Sequence, residues 1–168
     1  MAADPEEAEL VAAWRAAVAR PDVVGELEAL HAAVAEAVAR ERPICLASGQ
    51  CCHFERHGHR LYVTGLEAVW CVTNLARRDG PEASLPAVEA ARRRGDCPFL
   101  LEGRLCGAHR ERPLGCRIYF CDRMATDWQR ALYEAIHRRL VDLHERHAIP
   151  YRYGEWRTML ALAIDPNQ

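Results

Sequence analysis

Seven of the eight cysteines in this 168-residue chain fall into two short segments. Cys45, Cys51 and Cys52 lie in CLASGQCC, and Cys97, Cys106, Cys116 and Cys121 lie in CPFLLEGRLCGAHRERPLGCRIYFC. Thiols gathered this way need either disulfide bonds or a metal. The first residues, MAADPEEAEL, are acidic and lack the basic and apolar segments of a secretory leader. A cytoplasmic location is therefore expected, where stable disulfides are rare, and the metal reading is preferred.

Composition sets the frame for that site. Half of the residues are hydrophobic, enough for one globular domain spanning 1–168. No apolar run approaches the roughly 20 residues of a membrane helix. With 22 basic and 24 acidic residues the net charge is −2, so no strong field favours nucleic acid. The run Arg92, Arg93, Arg94 before Gly95 reads as the last turn of a helix, where cations suit the dipole and glycine the cap.

Hydrophobic spacing predicts a mostly α fold: a small helical domain with two cysteine-rich irregular loops organised around a metal site. Residues 6–41 read as a helical hairpin, with Leu10, Trp14 and Val18 four apart in the first helix. Leu27, Leu30, Val34 and Val38 repeat in the second, which Asp22 is placed to cap and Pro43 to end. Residues 44–123 form the cysteine core. Within it, Thr64 and Glu67 match a capping box for a helix to about Arg78, closed by Asp79-Gly80-Pro81. Ser84 opens a further helix, with Pro86 in its first turn and Gly95 at its end. Residues 96–124 read as loop with room for two very short strands, Arg112-Pro113 and Leu114-Gly115 marking turns. Residues 126–164 hold the C-terminal helices. The first carries the stripe Trp128, Leu132, Ile136, Leu140 and Leu143, and the second carries Trp156, Met159, Leu160 and Ala163.

The cysteine spacings do not name the metal. They match neither zinc-finger C-x2-C pairs nor the ferredoxin run. Thiolates suit both zinc and iron–sulfur clusters. The expected core ligands are Cys52, Cys97, Cys106 and Cys116, with Cys45, Cys51 and Cys121 next. Adjacent Cys51 and Cys52 would point to opposite faces of an extended backbone, so one ion is not expected to take both. Cys71, in the apolar stretch Ala68-Val69-Trp70-Cys71-Val72, reads as a core residue. His53 and His109 stand close to the cysteines as ligands or as donors behind them, or as solvated loop residues. His57, His59, His137, His144 and His147 read as surface or helix-face residues. Arg112 and Arg117 bracket Cys116, where they would offset thiolate charge or pair with ordinary carboxylates.

These segments resemble the zinc- or iron-chelating cysteine-cluster family, the CxxCxxCC or YkgJ-type proteins. The resemblance covers about residues 44–123. It rests on Cys51-Cys52, on Thr64 to Glu67, on Cys97-Pro98-Phe99-Leu100, on Cys106 and on Arg112-Pro113-Leu114-Gly115-Cys116-Arg117. One departure is Ser48, which stands where the family carries a further upstream cysteine. The resemblance implies metal chelation, and it extends to flagellin lysine methylases, which look like larger relatives.

Three functions follow as expectations. The first is a metal-binding protein whose iron–sulfur cluster or zinc is structural or redox-active; the surplus of thiols over four and the two arginines lean towards iron–sulfur. The second is a cluster-dependent, methylase-like enzyme that modifies another protein. The third is a zinc-stabilised interaction module with a protein partner. No Gly-rich nucleotide loop, G-x-S-x-G or H-E-x-x-H is present, and the carboxylates are expected to be solvated on helix faces.

Overall fold

The protein is described here by a computed structural model covering residues 4–78, 80–102 and 105–164; Asp79 of the expected helix stop lies outside the described residues. Helix α1 (Pro5–Val18) starts at Asp4, whose carboxylate accepts from the Glu6 N–H. Helix α2 (Pro21–Glu41) follows after two residues. Its N-cap is Arg20 rather than Asp22: proline takes the first helical position, where no N–H is needed, so the helix begins one residue before the expected cap. Asp22 instead sits in the first turn and binds the Arg20 guanidinium at 2.7 Å. Arg42 closes α2 in the left-handed region, with Pro43 just beyond.

Helix α3 (Gly65–Arg77) has the full capping box of Thr64 and Glu67. Helix α4 (Leu85–Arg94) runs from the Ser84 cap to Gly95, with Arg92–Arg94 in its last turn. Helix α5 (Leu114–Ile118) is short and follows Pro113. Leu114-Gly115, expected as a turn, thus opens a helix, because proline before the first turn favours helical continuation. Helix α6 (Thr126–Arg146) and helix α7 (Trp156–Ala163) complete the C-terminal part. Two three-residue strands, β1 (Tyr62–Thr64) and β2 (Tyr153–Glu155), pair antiparallel with Val63 opposite Gly154. They lie outside 96–124, where the short strands were expected. There, only an isolated bridge from Leu100 to Cys106 forms among the described residues.

Packing centres on α3, which lies against α1 on one side and α7 on the other. Trp14 of α1 is fully buried and donates its indole N–H to the Pro150 carbonyl at 2.8 Å. It lies flat over Gly65, where a Cβ would come within 2.4 Å of three ring atoms. Helix α2 packs on α5 and α6 and buries Leu27, Leu30 and Val34. The N-terminal hairpin is therefore part of the core. The expected α6 stripe is buried at Ile136, Leu140 and Leu143 and only half-buried at Trp128 and Leu132. No helix among the described residues is long and apolar enough to cross a membrane.

His144, read from the sequence as a surface or helix-face residue, lies on the buried face of α6, 1% exposed, and faces the Ile149 carbonyl at 3.3 Å. Glu67 and Glu111 are buried rather than solvated, Glu111 against the Arg78 guanidinium at 3.1 Å. Amphipathic spacing does not separate a polar residue at the edge of an apolar stripe from one inside it.

His31 of α2 packs its ring edge-on to Trp70 at 4.7 Å. Burial, with the Arg117 cation adding to it, lowers its pKa from 6.5 to about 3, so the folded imidazole stays neutral. Below pH 6.5 the unfolded chain takes up a proton at this residue and the folded chain does not. Stability is therefore lost as pH falls, by about 2 kcal/mol at roughly pH 5. A His31→Leu protein is expected to show a flatter urea midpoint between those pH values. An unchanged slope would remove His31 as its source.

Candidate metal centre

The cysteine site is assembled by three backbone devices. The first is a short antiparallel contact between residues 52–55 and 95–97. The Cys97 N–H donates to the Cys52 carbonyl at 2.7 Å, and the Glu55 N–H donates to Gly95 at 3.0 Å. Between them His53 Nδ1 meets the Asp96 carboxylate at 2.8 Å. Gly95 serves both the α4 cap, with φ 75°, and this contact, since a Cβ there would lie 2.5 Å from Glu55 Cγ. Cys52 and Cys97 are both buried.

The second device pairs residues 99–101 with residues 105–107. The Gly107 N–H donates to Phe99 at 2.8 Å and the Leu101 N–H to Leu105 at 2.9 Å. This returns Cys106 towards Cys97. The third is α5, which brings in Cys116. Its first free N–H, on Leu114, donates to Glu67 Oε1 at 2.9 Å. Glu67 Oε2 accepts from the Thr64 N–H at 2.9 Å and from the Thr64 hydroxyl at 3.0 Å. One buried carboxylate thus ties the start of α3 to the helix that carries Cys116.

Cys51 and Cys52 belong to a 3-10 turn, Gln50–Cys52, and their sulfurs are 4.0 Å apart. The expectation that they diverge is overturned, because the turn is wound rather than extended and neighbouring side chains share a side. Four thiolates around a zinc ion with Zn–S near 2.3 Å would stand about 3.8 Å apart. The Cys51–Cys52 spacing falls close to that value.

The electrostatics divide the thiols. Thiol contacts with Cys106, Cys51 and Cys97, with burial added, hold the proton on Cys52 far above the usual range. The same Cys52 thiol, donating, lowers Cys51 to about 6 and Cys106 to about 7, with the Arg112 cation helping at both and burial opposing. Burial pushes Cys116 up, and the neighbouring Cys97 and Cys106 thiols add to it. Arg112 donates to the His109 carbonyl at 3.0 Å and to the Cys116 carbonyl at 3.3 Å. Arg117 donates to the Arg112 carbonyl at 2.7 Å and also to the Arg110 carbonyl. Both guanidinium groups are thus held by backbone carbonyls beside the thiols. Neither makes a direct ion pair with a carboxylate among the described residues, although the buried Glu67 and Glu111 lie within electrostatic reach of Arg117.

The remaining candidates surround this set. Cys121 is half-buried near Ser48, Cys51 and Cys45; burial raises its pKa and the Ser48 hydroxyl opposes this. Gln129 clamps its segment by accepting from the Phe120 N–H at 2.8 Å and donating to the Phe120 carbonyl at 3.2 Å. The Ile44 N–H donates to Asp122 at 3.2 Å, which brings Cys45 to the same side. Cys45 and Cys51 are exposed. His53 is taken up by Asp96, and His109 is exposed on its loop. Cys71 is fully buried on α3, within electrostatic reach of Cys97 and Cys106.

The seven cysteines therefore form an inner group, Cys52, Cys97, Cys106 and Cys116, and an outer group, Cys45 and Cys121, with Cys51 between them. Their contacts are pairwise. No three of the His, Cys, Asp and Glu side chains among the described residues stand in a metal-holding arrangement. Spacing does not reveal His59, whose Nε2–H donates to the Cys51 carbonyl at 3.2 Å, or Glu67 as supports of the site. No family model matches the chain, and no curated protein or solved structure matches it.

Proposed function

We propose that the chain is a cysteine-cluster protein that binds an iron–sulfur cluster or zinc through Cys52, Cys97, Cys106 and Cys116, in a structural or redox role. The observation that carries this reading is the convergence of thiols from three separate segments, with Arg112 and Arg117 beside them. Free thiols packed together in a protein core have little to stabilise them, since S–H is a weak donor. Thiolates around a cation exchange those weak contacts for strong ones, and the guanidinium groups offset the leftover negative charge. The donor set fits soft metals.

Cys51 is the reserve ligand, with its sulfur 4.0 Å from Cys52 and its pKa lowered by the Cys52 thiol. Cys45 and Cys121 lie further out and suit a second ion or entry of the metal. When bound, zinc supplies structural cross-linking and an iron–sulfur cluster supplies one-electron chemistry. The reducing cytoplasm is the location that keeps such thiols available. The segment from Cys97 to Cys121, which resembles the zinc- or iron-chelating cysteine-cluster family, supports the same reading.

Anaerobic purification with a visible spectrum and analysis of iron, zinc and acid-labile sulfide tests it. Iron with matching sulfide and absorption near roughly 400 nm is the expected signature of a thiolate-held cluster. A colourless protein with stoichiometric zinc supports the structural role. A well-folded protein with neither metal would overturn the reading.

A further inference from the structure

Beside the inner cysteines lies a cavity of about 330 Å³ between α5, the start of α6 and β1. That volume falls within the range of roughly 300–1,000 Å³ typical of small-molecule sites. We propose that it binds a flat organic anion, an aromatic carboxylate of one or two fused rings, against the thiol site. The placement against a metal rests on the reading above; the ligand class rests on the cavity itself.

The walls select a flat ring. Tyr119 stacks on His59, with centroids 5.3 Å apart and planes 23° from parallel, and both line the cavity. Tyr62 stacks on Tyr153 at 5.8 Å, and the Tyr133 and Tyr153 hydroxyls bond to each other, all three rings lining the cavity. Leu61 and Ile118 add aliphatic surface. A lining of five aromatic rings, His59, Tyr62, Tyr119, Tyr133 and Tyr153, favours a planar guest over an aliphatic chain of equal volume.

The charges select an anion. Arg60 and Arg130 both line the cavity, and no Asp or Glu does among the described residues. Arg130 also meets Asp127 at 3.3 Å, but both side chains are exposed, and such a pair is weak enough to yield to a carboxylate. Cys51 and Cys116 also line the cavity, so a guest there lies beside the cysteine site.

The test titrates 2-naphthoate into the purified, metal-loaded full chain and follows binding by calorimetry. The controls are 2-naphthamide, which has the same shape without the charge, and an Arg60→Gln/Arg130→Gln double variant. Metal content is measured in every sample. We expect saturable binding of one naphthoate per chain. The amide, and naphthoate with the double variant, should each bind about tenfold more weakly or worse, the loss of a charge-assisted contact. The double variant should keep its full metal. Equal binding of amide and carboxylate, equal binding by the double variant, or no saturable binding by a metal-loaded chain each overturns the proposal. Charge-selective binding by a folded chain that never takes up metal upholds the cavity and overturns the metal reading.

Discussion

A Cys97→Ser protein is expected to hold metal about a hundredfold more weakly than the native chain and to lose thermal stability with it. The magnitude follows from structural zinc sites, where roughly 10–16 kcal/mol is shared by four ligands, or about 3 kcal/mol for each. Cys97 is the most informative position because it is buried and its N–H is bonded to Cys52 at 2.7 Å. A serine there is held in place by the same backbone, so the change falls on the donor atom rather than on the loop. Cys116→Ser is expected to act in the same direction, with lower metal content and lower soluble yield together. Cys71→Ala is the matched control. Cys71 is as deeply buried and lies close by, yet it belongs to the α3 core. Its loss is expected to cost about 1–2 kcal/mol of stability with metal content unchanged. Chelator competition with metal analysis of all three proteins decides the matter. Native metal content in Cys97→Ser, or its loss in Cys71→Ala, would reverse the assignment.

Glu67→Ala is expected to destabilise the fold by about 4 kcal/mol and to lower metal content as well. The carboxylate accepts three hydrogen bonds, two from Thr64 and one from the Leu114 N–H. Alanine leaves two backbone N–H groups buried without partners, each at a cost of about 1–3 kcal/mol, and removes the capping box. Burial raises the Glu67 pKa, and the three donors work against that rise. Glu67→Gln keeps acceptor capacity but places an amide N–H₂ among donors, so about half of the loss is expected. The link to the metal runs through α5, whose position this bond fixes and which carries Cys116. Urea midpoints give the stability and metal analysis gives the coupling. A Glu67→Ala protein as stable as the native chain would show that α5 is held by packing alone.

Much of the framework was legible in residue order. The capping box at Thr64 and Glu67, the Ser84 start with Pro86 inside, and the Gly95 stop each depend on contacts within a few residues. Local chemistry of that kind is the same in any context. Burial of Trp14, Leu27, Leu140 and Trp156 followed from helical spacing for the same reason. Where a choice turned on one residue, local rules conflicted. Pro21 displaced Asp22 from the cap, and Pro113 turned an expected bend into α5.

The amino-acid sequence by itself determined the helical class and most helix ends. Those properties are written in periodicity and in capping residues. Only the tertiary structure decided which thiols meet. Cys52 and Cys97 are 45 residues apart in the chain and are joined by one backbone hydrogen bond that Gly95 makes room for. Only it decided that Cys51 and Cys52 share a side, that Glu67 reaches Leu114 and that the N-terminal hairpin is core. It also formed the aromatic cavity, whose lining comes from β1, β2, α5, α6 and the segments around His59 and Tyr119. Each of these depends on the approach of distant segments, and that is set by the packing of whole helices rather than by any local preference.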